Sequence, residues 1–577
     1  MSYKDTYYAW IKDSYFDEGT KNELLSIESD EKEIEERFCR NLEFGTAGLR
    51  GIIGAGTNRI NIYTVRRASQ GFANYILNKE GAKDRGIVIA YDSRHMSPEF
   101  ALETALVFNG NGIKTYLFEA LRPVPMLSFA VRRLEAAGGV AITASHNPPE
   151  YNGYKVYGED GAQVVFPADL AIISEVNGIE NFHDIKIANR FDAEQSGLFN
   201  IIGKDIDDEY IKEVVSQLAD PDILRKSQGS LKIVYTPLHG SGSMPVRRTL
   251  DAAGFENVYI VTEQDAPDPN FSTISSPNPE DPKAFEMGIN LANKLNADIV
   301  IGTDPDADRV GAAVKGHDGK YSFLTGNMTG LLITEYTLSS LAKYEKLCPK
   351  ITIISTVVST KLTKKIAEAY GVKYMETLTG FKYIGEKIKE FEATGDNTFI
   401  FGFEESYGCL KGTYARDKDA VAASMLLCEI AAYYKSRNMT LLDGLDEIYA
   451  KYGYAKEHVI SITLKGLDGL AKTKKIMETL RRTEKLIIDG KETVEFRDYA
   501  SGTIKNIISG KTEKINLPAS DILYYTLSDS TWICVRPSGT EPKVKVYLGA
   551  TGKVAAEADS KIKKAEAAMM KWLSTQI

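Results

Sequence analysis

The stretch GIVIAYDSRHMSPEF, residues 86–100, decides the fold class. Its first five residues are apolar or small and predict a short buried strand, and the polar run YDSR predicts the loop that ends it. The following SPE indicates the start of a helix, with Ser97 as the N-cap and Pro98 at the first helical position. A strand followed directly by a helix is the repeating unit of a largely parallel, helix-covered sheet.

The same alternation recurs along the chain. Further strands are predicted at IKTYLF (113–118), GGVAI (138–142), LKIVY (231–235), VYIV (258–261), ADIVIG (297–302), TIIST (352–356), near Val372 and at TFIFG (398–402). Residues 1–40 read as helices. The last part of the chain differs, because the strands WICVR (532–536) and VKVYL (544–548) precede an amphipathic helix from Ala555 to Leu573, which indicates a smaller α+β domain.

Composition sets the limits on function. The 577 residues, 43% hydrophobic and 26% charged, are typical of a globular protein of several domains. The net charge of −9 gives no general attraction for nucleic acid or an anionic membrane. Five scattered cysteines without a CxxC pair, a polar N-terminus unlike a secretory signal and the lack of a long apolar run favour a cytoplasmic protein with reduced thiols.

A first candidate site is Thr143-Ala144-Ser145-His146-Asn147-Pro148-Pro149, directly after GGVAI. Ligands of open α/β sheets lie at the carboxyl ends of strands. A serine held there on a stiff loop can act as a nucleophile, although an ordinary polar turn has the same residue types.

A second candidate is Asp304-Pro305-Asp306-Ala307-Asp308-Arg309, directly after ADIVIG. Three carboxylates at alternate positions of a turn suit a hard cation such as Mg²⁺ or Ca²⁺. An EF-hand is excluded, because Arg309 and Lys315 stand where that loop needs Gly and Glu. The alternative is an acidic, solvated turn.

A third candidate is Arg536-Pro537-Ser538-Gly539-Thr540-Glu541-Pro542-Lys543, again after a strand. An arginine, hydroxyl groups and a glycine that exposes backbone N–H groups can hold a phosphate. Further polar residues that follow or flank strands could bind sugar hydroxyls, phosphates or carboxylates, or could be solvated charges. They are Lys382, Glu404, Ser406, Arg416 and Lys418.

Together these motifs resemble the α-D-phosphohexomutases, the family of phosphoglucomutases and phosphomannomutases, and within it the bacterial α-phosphoglucomutases. The resemblance runs from GTAGLRG (45–51) to Lys543, in the order of the family. It implies four domains around a central cleft, three αβα sandwich domains with mixed sheets and a C-terminal α+β domain. The expected boundaries are 1–208, 209–325, 326–447 and 448–577.

The resemblance also implies roles for single residues. Ser145 matches the phosphoserine, and Asp304, Asp306 and Asp308 match the Mg²⁺ ligands, whose site the phosphate on Ser145 completes. Arg50 and Lys155 match basic residues beside that phosphate, with Arg309 supplying further charge. Glu404 and Ser406 match the residues that bind the sugar, and Arg536, Ser538, Gly539 and Thr540 match those that hold the other phosphate. Pro305 and Ala307 replace the glycines that are commoner in the metal loop.

The implied reaction interconverts a hexose 1-phosphate and a hexose 6-phosphate, with glucose favoured, through a hexose 1,6-bisphosphate that turns around in the cleft. Lys155, with a pKa lowered by clustered cations, or His146 would accept the proton of the attacking hydroxyl. Mannose and pentose phosphates stay open as substrates. A serine-dependent phosphatase and a non-catalytic sugar-phosphate-binding protein are the alternatives from other classes, and the oligomeric state is not predicted.

Overall fold

A computed structural model describes residues 2–45, 48–220, 222–223, 230–464, 469–537 and 543–576. The chain forms two compact units. The first comprises residues 1–345, 350–352 and 381–442, and the second comprises residues 346–349, 353–380 and 443–577. Within the described residues, no helix is both long and apolar enough to cross a membrane.

Helices begin the first unit, as the sequence predicts for residues 1–40. They are α1 (Tyr3–Lys12), α2 (Glu18–Ser26) and α3 (Glu31–Phe38). Ser2, Asp17 and Asp30 cap them by accepting backbone N–H groups. Their apolar faces bury an aromatic cluster that includes Tyr7, Trp10 and Phe16.

The first sheet has six strands in the order β1-β5-β4-β2-β3-β6. The strands are β1 (Gly48–Ile52), β2 (Ile87–Tyr91), β3 (Thr115–Phe118), β4 (Gly138–Ile142), β5 (Tyr151–Gly158) and β6 (Phe199–Ile202). The helices around them are α4 (Ile62–Leu77), α5 (Ala82–Arg85), α6 (Ser97–Gly110), α7 (Val124–Arg133), α8 (Ala168–Asn177), α9 (Arg190–Gln195) and α10 (Lys204–Val215).

Strands β2, β3, β4 and β6 run parallel, whereas β5 pairs antiparallel with both β4 and β1. The sheet is therefore mixed, and the three strands predicted from GIVIA, IKTYLF and GGVAI are confirmed. Helix α6 departs from the prediction. Its N-cap is Met96, and Ser97 is its first residue, because the Ser97 hydroxyl donates to Asp92 (2.8 Å) instead of accepting from the helix.

The second sheet has five strands in the order β11-β10-β9-β7-β8. They are β7 (Ile233–Thr236), β8 (Val258–Ile260), β9 (Ile299–Thr303), β10 (Val310–Lys315) and β11 (Tyr321–Leu324), with helices α11 (Ser243–Ala253) and α12 (Glu286–Leu295). Strands β7, β8 and β9 are parallel. Every residue of β9 is buried, as expected for a central strand of a sheet that is covered on both faces.

The elements that follow complete the first unit and begin the second. They are α13 (Gly326–Lys343), β12 (Ile351–Thr356), α14 (Leu362–Ala369), β13 (Lys373–Thr377), α15 (Phe381–Thr394), β14 (Thr398–Phe403), β15 (Cys409–Lys411), α16 (Ala420–Ser436) and α17 (Leu441–Tyr452). The strands predicted from TIIST and TFIFG and near Val372 are confirmed as β12, β14 and β13. Strands β14 and β15 form an antiparallel hairpin.

The C-terminal part of the second unit is an antiparallel sheet in the order β16-β23-β22-β21-β18-β19-β20, with β17 paired to β18. Its strands are β16 (Tyr454–Thr463), β17 (Ile487–Ile488), β18 (Lys491–Asp498), β19 (Thr503–Asn506), β20 (Thr512–Lys514), β21 (Leu523–Leu527), β22 (Trp532–Pro537) and β23 (Lys543–Gly552). Helices α18 (Gly469–Arg482) and α19 (Ala555–Ser574) bury their apolar faces in its core. This is the α+β architecture predicted for the end of the chain.

Candidate active site

Ser145 lies on the loop between β4 and β5, at the carboxyl end of β4. It has a left-handed backbone (φ 52°), which is uncommon for a residue with a side chain, and it is buried. Its backbone N–H donates to the Thr143 hydroxyl over 2.8 Å. This bond fixes the turn that directs the serine side chain away from the strand.

The aspartate loop occupies the equivalent end of β9. The Asp304 carboxylate folds the loop on itself, because its Oδ1 accepts the backbone N–H groups of Asp308 (3.1 Å) and Arg309 (3.0 Å). Ala307 takes the left-handed conformation, with φ 44°, that a glycine adopts more easily. The loop thus closes as a turn although alanine and proline stand at its spacer positions.

Two hydrogen bonds join the serine loop to the aspartate loop. Ser145 Oγ donates to Asp304 Oδ2 over 2.7 Å, and the Thr143 hydroxyl donates to Asp306 Oδ2 over 3.2 Å. The two motifs are 159 residues apart in sequence, yet the carboxyl ends of the two sheets meet here.

The three aspartates fit a metal ion. Asp304, Asp306 and Asp308 are buried and each offers one carboxylate oxygen within 4.8 Å of the others. Among the described residues, Oδ1 of Asp306 and Oδ1 of Asp308 are buried without a hydrogen-bond partner. Buried anionic oxygens without a partner are costly, so a hard cation that accepts oxygen ligands would satisfy them.

Two lysines neutralise part of this charge. Lys155 Nζ on β5 lies 2.7 Å from Asp306 Oδ2 and 3.5 Å from Asp308 Oδ2, and Lys418 Nζ lies 3.1 Å from Asp308 Oδ2. Burial lowers the pKa of Lys155, but Asp306 and Asp308 outweigh it and hold this pKa above its ordinary value. The lowered lysine pKa expected from sequence is therefore wrong for this structure, since the nearest charged groups are carboxylates rather than cations.

His146, Arg50 and Arg309 lie around the same serine. His146 Nδ1 is 3.2 Å from Ser145 Oγ, and burial, with Arg309 and Arg50, lowers the pKa of the imidazole well below its ordinary value. Arg50 on β1 donates to the Asn147 side chain over 3.3 Å. Arg309 pairs with Glu280 at 2.6 Å, and its Nε lies 3.8 Å from Asp308 Oδ1.

The loop of Glu404 and Ser406, which follows β14, also reaches the aspartate loop. The Glu404 side chain is buried, and its backbone N–H donates to the carbonyl of Gly408 over 2.8 Å. The Tyr407 carbonyl accepts the N–H of Val310, the first residue of β10 (3.0 Å). The structure therefore brings Glu404, Ser406 and the aspartate loop to one region of the first unit.

Arg416 and Lys382 have different surroundings. The Arg416 side chain is fully buried, forms an ion pair with Glu392 and donates to the backbone carbonyl of Ala415 over 3.0 Å. Its predicted role in substrate binding stays a prediction. Lys382 lies on α15 at the wall of a cavity of about 510 Å³, beside Gln163 and Phe166.

The candidate phosphate loop is only partly described. Arg536 is a half-buried residue of β22, in the second unit. Ser538, Gly539 and Thr540 lie outside the described residues. Their predicted role stays a prediction.

Sequence reasoning gave no role to Thr143 or Arg94. Thr143 Oγ1 accepts the Ser145 N–H and donates to Asp306, and the Arg94 guanidinium donates to the Ser145 carbonyl over 2.6 Å. Both residues lie at strand ends that the sequence identifies, and this position could have marked them as candidates. Their hydrogen-bond partners could not be predicted, because these lie far away in sequence.

Comparison with known protein families gives four matches in order along the chain. They are to the phosphoglucomutase/phosphomannomutase models for α/β/α domain I (residues 41–183), domain II (208–319) and domain III (325–452) and for the C-terminal domain (488–565). The matched segments include each of the three motifs at least in part.

Two staphylococcal proteins share more than a third of the aligned sequence. A phosphoglucomutase of Staphylococcus epidermidis is 36% identical over 539 residues, covering 93% of this chain and 95% of its own. A phosphoglucomutase of Staphylococcus aureus is 38% identical over 517 residues, covering 89% and 91%.

Solved structures share the fold. A putative phosphomannomutase from Thermus thermophilus superposes with a TM-score of 0.68 at 22% identity, covering 92% of this chain and 99% of its own. Parafusin, a phosphoglucomutase from Paramecium, gives a TM-score of 0.66 at 17% identity, with coverages of 91% and 94%.

Proposed function

The chain belongs to the phosphoglucomutase/phosphomannomutase family and is a hexose phosphate mutase, and on this basis we propose that it interconverts glucose 1-phosphate and glucose 6-phosphate through a phosphorylated Ser145. A glucose 1,6-bisphosphate is the intermediate in this proposal. Small-molecule sugar phosphates are therefore its substrates. The relatives named phosphoglucomutase at 36% and 38% identity support glucose over mannose or a pentose.

One observation carries the proposal. Ser145 Oγ lies 2.7 Å from an oxygen of the three-aspartate cluster, on a loop whose left-handed backbone presents it there. Phosphoryl transfer depends mainly on positioning and on stabilising charge at the phosphoryl oxygens. A hydroxyl nucleophile beside a metal-binding cluster provides both requirements.

Asp304, Asp306 and Asp308 would hold Mg²⁺ in this proposal, since their buried oxygens suit a hard cation. The ion would supply positive charge to the phosphoryl oxygens. Lys155 and Lys418 compensate the same carboxylates, so the cluster does not bury three uncompensated negative charges.

In the forward half-reaction, phosphorylated Ser145 gives its phosphoryl group to a free sugar hydroxyl. The bond between Oγ and phosphorus breaks, and a bond between the sugar oxygen and phosphorus forms. The sugar hydroxyl gives its proton to a protein group, and the leaving Oγ takes up one proton to become the serine hydroxyl. The bisphosphate then turns around and returns its other phosphoryl group to Ser145. Each cycle restores the phosphoserine, so no nucleotide is consumed.

Geometry supports His146 as the group that exchanges a proton with Ser145, because its Nδ1 lies 3.2 Å from Oγ. Lys155 already donates to Asp306 over 2.7 Å, which supports an electrostatic role for its ammonium group. Arg50 and Arg309 add positive charge near the serine loop, which suits a phosphorylated side chain.

Substrate contacts complete the proposal. Glu404 and Ser406 are assigned to the sugar hydroxyls, and Arg536, Ser538, Gly539 and Thr540 to the phosphate that is not transferred. Lys382, Arg416 and Lys418 were also predicted to bind substrate; of these, Lys418 contacts the metal loop. We also place the enzyme in the cytoplasm, which is supported by the presence of all five cysteines as thiols.

The test is Ser145→Ala, with Ser196→Ala, at an exposed helix end of the same domain, as the matched control. We expect the intact mass of the active protein to include a phosphorylated fraction that is absent from Ser145→Ala and present in the control. Mutase turnover should disappear only in Ser145→Ala. Turnover of glucose, mannose, ribose and deoxyribose 1-phosphates, measured side by side, tests the substrate. Normal turnover by Ser145→Ala would refute the phosphoserine, and net release of phosphate would indicate a phosphatase.

A further inference from the structure

A buried guanidinium lies beneath the serine loop. Arg94 follows β2 and is 1% exposed. It donates to the backbone carbonyls of Ser145 (2.6 Å), Pro148 (2.7 Å) and Tyr151 (3.0 Å), and also to that of Asn147. One side chain therefore satisfies four carbonyls of the segment that carries the nucleophile.

Arg94 is itself fixed from the side of β2. Its Nε lies 3.3 Å from Asp92 Oδ2, and both side chains are fully buried. The other carboxylate oxygen of Asp92 accepts the Arg94 backbone N–H (3.0 Å) and the Ser97 hydroxyl (2.8 Å). The ring of Phe271 lies 5.0 Å from the guanidinium carbon. The cation thus has one orientation, and its remaining donors are directed at the loop.

The loop needs such support. A left-handed conformation at a residue with a side chain is strained and persists where the surroundings impose it. The carbonyl of this left-handed residue accepts a hydrogen bond from the Arg94 guanidinium. Without the guanidinium, four carbonyls would lose a charged donor, and the loop would adopt another backbone conformation.

We propose that Arg94 is a positioning residue of the mutase reaction, which holds the 145–151 loop so that Ser145 Oγ meets the aspartate cluster. The inference rests on the proposed function of Ser145. Arg94 donates to backbone carbonyls of the loop and acts on the chemistry through Ser145. Its removal should therefore slow the phosphoryl transfer step rather than weaken sugar binding.

Arg94→Lys tests this role. Lysine keeps the charge, but its single ammonium group cannot replace the planar fork that serves four carbonyls. A misplacement of reacting atoms by about 1 Å can cost about 100-fold in rate. We expect kcat to fall about 100-fold with KM nearly unchanged, and the rate at which glucose 1,6-bisphosphate phosphorylates Ser145 to fall in parallel.

Arg37→Lys is the matched control. Arg37 lies on α3, and it also donates both to carboxylates and to a backbone carbonyl, that of Ala55 (3.2 Å). It should lower the melting temperature and leave kcat per folded molecule unchanged. If Arg94→Lys folds with normal kcat, or raises only KM, the inference is refuted.

Asp92→Asn covers the case in which Arg94→Lys does not fold. It keeps the guanidinium and removes the charge that orients it, so we expect the same pattern with a smaller loss, about tenfold in kcat. A normal kcat in this variant would also refute the inference. Ser145→Ala, assayed in parallel, separates the two proposals: if it is active, the proposed function fails, and if it is inactive while Arg94→Lys is fully active, only the role of Arg94 fails.

Discussion

The hydroxyl of Ser145 donates a 2.7 Å hydrogen bond to Asp304, and so the nucleophile contacts the carboxylate cluster directly. Burial raises the pKa of Asp304 well above its ordinary value, and the neighbouring carboxylates of Asp306 and Asp308 raise it further. The three carboxylates therefore repel one another when all are ionised. A bound cation would relieve this repulsion and would lie beside the phosphoryl group on Ser145.

Removing one carboxylate charge should weaken metal binding. Asp306→Asn keeps the size of the side chain and removes its charge. Loss of a residue that only supports a metal ligand lowers metal affinity by about 10–100-fold. A change at the ligand itself should therefore raise the Mg²⁺ concentration for half-maximal activity at least tenfold. Titration of the chelated enzyme with Mg²⁺ measures this, and chelator alone should abolish turnover.

Asp318→Asn is the matched control for that experiment, because Asp318 lies in an exposed turn of the same domain. Its Mg²⁺ titration should match that of the wild type. Full activity of Asp306→Asn without added metal would contradict the assignment of the aspartate loop as the metal site.

The backbone of Ala307 gives a second prediction. Ala307 is buried with φ 44°, and a Cβ placed on Gly242 would lie 3.3 Å from its methyl group. Ala307→Gly relieves the strain and increases the entropy of the unfolded chain, so stability should change by less than about 1 kcal/mol. Ala307→Val puts a branched side chain in a backbone conformation that it rarely adopts, which should lower the free energy of unfolding by about 1–3 kcal/mol.

Mg²⁺ activation curves and thermal melts of both variants test the point. Ala307→Gly should retain activity, and Ala307→Val should need more Mg²⁺ and turn over more slowly. Equal behaviour of the two variants would show that the loop does not depend on this conformation.

Strand ends could be read from sequence, whereas side-chain partners could not. Runs such as GGVAI and ADIVIG are continuous and apolar because their strands are buried on both faces, so Ser145 and Asp304 could be placed at strand ends. Which ends face each other depends on how two sheets pack, and no local pattern encodes that.

The same limit explains the errors. The pKa of Lys155 depends on whether carboxylates or cations lie beside it, and Asp306 is 151 residues away in sequence. Ser97 has the residue type of an N-cap, yet its hydroxyl donates a hydrogen bond to Asp92 and does not cap the helix.

Lys411 should make stability depend on pH. Burial lowers its pKa to about 8 from an ordinary value of 10.5, although Glu429 raises it in part. Between these pH values the unfolded chain binds a proton that the folded chain does not, so this group's contribution to stability rises with pH. Below pH 8 the charge on this partly buried side chain lowers the free energy of unfolding by up to about 3 kcal/mol.

Lys411→Met removes this dependence. We expect the stability of the wild type relative to the variant to increase between pH 7.5 and 10, as measured by denaturant unfolding at both values. Lys32→Met, at an exposed position of α3, is the control and should show no such trend. A relative stability that falls or stays constant would contradict the burial of a charged Lys411.

The last prediction concerns Arg536, which the family resemblance assigns to the phosphate that is not transferred. A charge-assisted hydrogen bond to phosphate is worth about 1.5–3 kcal/mol, or about ten- to a hundredfold in binding. Arg536→Ala should therefore raise KM strongly for both sugar phosphates, while Ser145 still accepts phosphate from glucose 1,6-bisphosphate. The intermediate should also escape more often, and free bisphosphate should accumulate during turnover. Arg481→Ala is the control, since Arg481 pairs with Asp498 and Asp521 of the same unit, and it should leave KM unchanged. If Arg536→Ala kept a normal KM but left Ser145 without phosphate, Arg536 would belong to the chemical step instead.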